Sequence, residues 1–119
     1  MGGGSQHPGD GGPVLRFADT ARRLGAAARA AGLVVPAFRC PPRVPGARRT
    51  VRRFPGGSVV SVALKGRSIG EVATDMVEGV LVANKLEGEA AQRFRAALSH
   101  AAGLPSGEAR MAERQTRAA

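Results

Sequence analysis

The chain has no tryptophan and no tyrosine, and four phenylalanines complete its aromatic set. An aromatic-rich platform for stacking bases is therefore not expected. A single cysteine excludes an intramolecular disulfide and any cysteine-based metal cage. The two histidines, His7 and His100, stand far apart and in different kinds of segment. No apolar run reaches the roughly 18 residues of a membrane span. The first thirteen residues lack the charged-then-apolar order of a secretory signal. A cytoplasmic protein with no membrane partner is the expectation.

Large apolar residues are also scarce. Hydrophobic residues make up 43% of 119, but 22 of them are Ala, so any core is small. One domain fits this length. Ala, Gly, Arg and Pro exceed half the chain, a bias typical of a GC-rich genome. That bias accounts for part of the excess of sixteen Arg over two Lys. It does not account for the net charge of +9, because GC-rich codons do not forbid Asp and Glu.

The periodicity gives a single α+β domain over residues 14–102, between a flexible Gly-rich leader (1–13) and a polar tail (103–119). A first helix is predicted from Val14 to Ala31, with Phe17, Ala21, Leu24 and Ala28 on its inner face and Gly32 as its stop. Residues 33–39 read as a short strand that Pro36 confines to an edge. Pro41, Pro42 and Pro45 then impose an extended connection. Thr50–Phe54 and Ser58–Leu64 form an antiparallel hairpin about Pro55-Gly56-Gly57. The expected sheet is this hairpin alone or a three-stranded antiparallel one. Ser68-Ile-Gly-Glu71 has the S-x-x-E spacing of a capping box and starts a second helix. A third helix runs from Gly88 to Ala102, with Gly103 as its stop. Leu81 and Val82 fall off the main apolar stripe of helix two, and both faces of the hairpin are largely apolar. A homodimer covering one of these surfaces is expected.

Charge is concentrated in one block. Residues 36–67 contain Arg39, Arg43, Arg48, Arg49, Arg52, Arg53, Lys65 and Arg67 and no acid, so eight of the nine net charges sit there. A single-sign block of this density is the footprint of a polyanion site. The guanidinium fork matches phosphate. With so few aromatics, contact with a duplex backbone and weak sequence preference is the expected mode. The acidic stripe Glu71, Asp75 and Glu78 is too small to neutralise the block. An acidic protein is the alternative partner.

Motifs for catalysis are weak. Cys40 lies between Arg39 and Pro41, where positive neighbours favour a thiolate, but no orienting group accompanies a Cys–His pair with His100. His100 is expected to face solvent near a helix end. The acidic stripe has the carboxylates for a hard metal ion, but along one helix face it gives poor encirclement, and a solvated or ion-paired face is the expectation. No phosphate-loop motif is present. The expectation is a non-enzymatic binding module without cofactor or metal.

Arg39-Cys-Pro-Pro-Arg43 resembles the R-x-x-x-R element with which PilZ domains bind a cyclic dinucleotide. The second PilZ element, D/N-x-S-x-x-G, does not follow it, and the strands are too few for that barrel. The stretch from RCPPRVPGARRT through RSIGEVATDMVEGVLVANKL, about half the chain, is similar to small uncharacterised proteins of high-GC actinobacteria. That resemblance implies a bacterial cytoplasmic setting and brings no activity with it.

Overall fold

A computed structural model describes residues 12–44 and 48–105, with side chains from Arg16 onward in the first helix. The elements are α1 (Gly12–Ala30), β1 (Ala37–Arg39), β2 (Arg49–Phe54), β3 (Gly57–Val62), α2 (Ile69–Ala83) and α3 (Gly88–Ala101). This is the α+β order that the periodicity predicts. Residues assigned to the leader before Gly12 and to the tail after Pro105 lie outside the described residues.

The sheet is mixed, in the order β1-β3-β2. The hairpin is antiparallel, with Phe54 opposite Gly57 and Arg49 opposite Val62. The edge strand departs from the antiparallel expectation: β1 lies parallel to β3, Phe38 beside Val60. Its length follows from the prolines. Pro36 and Pro41 bracket it, and neither has an N–H to give to a ladder.

The helices lie on one side of the sheet. Val60 and Val62 of β3 are fully buried there, and α2 crosses above them. Gly79 makes this approach possible. A Cβ at that position would meet Val60 Cγ1 at 2.5 Å. Helices α1 and α3 pack on α2 and on each other. Helix α1 brings in Phe17, Leu24 and Ala28, and α3 brings in Ala91 and Leu98, all buried. Phe17 also meets Phe38 edge-on, which fastens α1 to β1.

Central placement of α2 corrects one expectation. Leu81 is 1% exposed, because α2 is covered by the sheet on one side and by helices on the other. It cannot form an intermolecular surface. Among the residues singled out for a homodimer, Val82 is the exposed one in this helix.

The ends of the helices are set locally. Ser68 accepts from the Glu71 N–H at 3.1 Å, and the Ser68 N–H donates to the Glu71 carboxylate at 2.9 Å, which completes the capping box. All three helices end in the same way, with paired bonds back from the next two residues. Gly32 and Leu33 do this for α1, and Gly103 and Leu104 for α3. At α2 the left-handed position is Lys85, with φ 57°, where glycine would be unstrained. The Asn84 side chain adds a long-range tie there. It accepts from the Val34 N–H at 2.7 Å and donates to the Val34 carbonyl at 2.9 Å.

Candidate nucleic-acid interface

Side chains alternate across a strand, so the register sorts the basic block into two sets. Arg49, Val51 and Arg53 are paired with Val62, Val60 and Ser58, the buried positions of β3, and so point to the helix side. Arg52 and Phe54 belong to the opposite face.

Three basic residues are engaged within the fold. Arg67 donates to Asp75 and to the Ala63 carbonyl (3.1 Å), and its side chain is 9% exposed. Arg49 reaches the other Asp75 oxygen at 3.4 Å. Arg53 donates to the Val82 carbonyl at 3.1 Å, in the last turn of α2, where the helix dipole favours a cation. Arg49 and Arg53 thus stitch β2 to α2 at two points.

The other five, Arg39, Arg43, Arg48, Arg52 and Lys65, are exposed. The ion pairs found among the described residues do not include them. Arg52 lies against the Phe54 ring, its Cζ 5.6 Å from the centroid.

The acidic stripe is dispersed among separate structural tasks. Asp75 holds Arg49 and Arg67. Glu78 takes a two-pronged contact from Arg95 of α3, at 2.8 and 3.0 Å, which raises the Arg95 pKa further. Glu71 serves the capping box. Its carboxyl is held below the usual glutamate value, chiefly by the Ser68 N–H bond, then by the Ser68 hydroxyl and the charges of Arg67 and Arg48. No cluster of three or more His, Cys, Asp or Glu occurs among the described residues. Cys40 is a half-buried free thiol, and His100 is exposed in the last turn of α3.

A groove of about 410 Å³ opens at the start of α2, lined in part by Arg48, Arg67, Ser68, Glu71 and Asp75. Both signs of charge face it, so it is a poor seat for an anion. The outer face of the sheet differs. It carries Ala37, Arg39, Thr50, Arg52, Phe54, Val59 and Ser61, without an acid. Four of these are exposed, three are half-buried, and none is buried.

The alternation of β2 separates Arg52 from Arg53, but assigning the faces requires knowing which one the helices cover. Phe54 shares the outer face with Arg52, and its signal in the sequence is the i, i+2 spacing from that residue. Among the described residues, no helix is long and apolar enough to cross a membrane. No family model, no curated protein and no solved structure matches the chain.

Proposed function

We propose that this chain is a small non-enzymatic binding module that takes nucleic-acid phosphates on Arg39, Arg43, Arg48, Arg52 and Lys65. One observation carries the reading: these five side chains are exposed on an acid-free stretch, while Arg49, Arg53 and Arg67 are used by the fold. Charges outside the internal ion pairs are available to an external polyanion, and counterion release supplies the driving force. The bacterial cytoplasm implied by the sequence resemblance offers such partners. Joining two copies through the same face would set Arg39 and Arg52 of each against the other's, so a homodimer is not part of the proposal.

The test replaces Arg39, Arg52 and Lys65 with Gln in one variant. Binding should weaken for all sequences alike. The dependence of log affinity on log salt should flatten by about one unit for each phosphate no longer neutralised. Melting should not change, because the three side chains are exposed. Failure of the unmutated protein to bind any nucleic acid at low salt refutes the reading. Retention of an acidic polypeptide in that same assay would assign the five residues to protein docking instead.

A further inference from the structure

The outer sheet face shows which form of nucleic acid it suits. We infer that its occupant is a single strand, with one base stacked on Phe54 and the backbone held between Arg52 and Arg39. The inference rests on the phosphate-binding reading and replaces its duplex form.

Shape argues first. A major groove about 12 Å wide admits a helix or a two-stranded ribbon. Here the hairpin has β1 along one side and α2 pressed on its back through Gly79 and Val60. A three-stranded sheet backed by a helix layer is broader than such a ribbon. It presents a broad surface, which suits an unpaired strand laid across it.

Chemistry argues second. Arg39 on β1 and Arg52 on β2 stand at the two edges, two strand spacings apart and offset by two residues along the strands, a diagonal of about 12 Å. Between them the outer positions are Val59 and Ser61 of β3 and Thr50 of β2. These side chains are too short to block a strand passing over them. Phe54 is 49% exposed at the hairpin end. The residue opposite it is Gly57, which has no side chain to cover the ring. The Arg52 guanidinium lies over one face of that ring, so the base stacks on the opposite face, with the guanidinium near the adjoining phosphate.

The experiment measures anisotropy of labelled oligothymidylate and of a labelled duplex, each about twelve nucleotides long, with the full chain. The single strand should bind at least about tenfold tighter than the duplex at equal salt. Phe54→Ala should cost about tenfold on the single strand with the salt slope unchanged, and Phe54→Trp should restore it. Arg52→Gln should flatten the slope. Far-UV circular dichroism should be the same for all variants, because both side chains are exposed. Equal or tighter duplex binding overturns the inference and leaves the phosphate-binding reading standing. So does tight single-strand binding that Phe54→Ala leaves unaltered. Absence of binding to both probes at low salt removes both readings.

Discussion

Replacing Gly79 with Ala sets two effects of opposite sign against each other. Ala in a helix interior is favoured over Gly by about 1 kcal/mol. The added methyl, however, would lie 2.5 Å from Val60 Cγ1, 3.0 Å from Cγ2 and 3.3 Å from Cβ. Rotating Val60 about χ1 gives little relief, because a β-branched side chain is restricted at χ1 and one methyl and the Cβ would still face the helix at the 3.0 and 3.3 Å sites. Relief therefore requires α2 to lift from the sheet by about 1 Å, with an overpacking cost of about 3 kcal/mol. The net expectation is a loss of about 2 kcal/mol, or about 10 °C in Tm for a domain of this size. Val60→Ala removes the opposing methyls. In that background Gly79→Ala should become neutral or stabilising, giving a coupling of about 2 kcal/mol between the two sites. Urea unfolding followed by far-UV circular dichroism measures all four proteins; the chain has no tryptophan to report by fluorescence. A Gly79→Ala protein more stable than its parent, with additive effects, would refute the close approach of α2 to β3.

Two further outcomes follow from the ends of α2. Lys85→Gly should raise stability by about 1 kcal/mol, since it relieves a left-handed backbone in a residue with a Cβ; thermal melting that falls instead would show that the Lys85 side chain contributes more than its backbone costs. The lowered Glu71 pKa means that its stabilisation is fully present above the unfolded value, ordinarily 4.5, and is lost as pH falls through the lower folded value. Glu71→Gln should remove this part of the acid sensitivity, measured as the difference between two pH–melting curves, and identical curves would count against the capping box.

The features legible in the sequence are those decided within a few residues. Ser68 and Glu71 meet across three positions, Gly32 and Gly103 each lie two residues past a helix end, and Pro55-Gly56 closes a hairpin between adjacent strands. The features that escape it depend on the whole molecule. Leu81 reads as external when each helix of a small domain is given one covered side. The last turn of α2, residues 79–82, is apolar all round, which is itself the signature of a centrally packed segment. Asn84 gives no local sign of its role, since its partner Val34 lies fifty residues away. The parallel placement of β1 likewise depends on which edge of the hairpin is free, and nothing near Pro36 records it. In the basic block the sequence locates the charge but cannot divide it, because the division rests on which side of β2 the helices take.

That division has a consequence for how β2 finds its alignment. The strand reads Arg-Thr-Val-Arg-Arg-Phe, and its only inward apolar side chain is Val51. A slip by one residue would turn Thr50, Arg52 and Phe54 toward the helices and send Val51 outward. Burying Phe54 in place of Val51 would gain apolar area, so hydrophobicity alone favours the wrong alignment. The discrimination comes from polar groups on α2. In the slipped arrangement Arg49 would leave Asp75, with Arg67 as that carboxylate's remaining partner among these contacts, and Arg53 would leave the Val82 carbonyl. A carboxylate and a helix end thus select the strand's phase, and the same selection keeps Phe54 on the outside of the sheet.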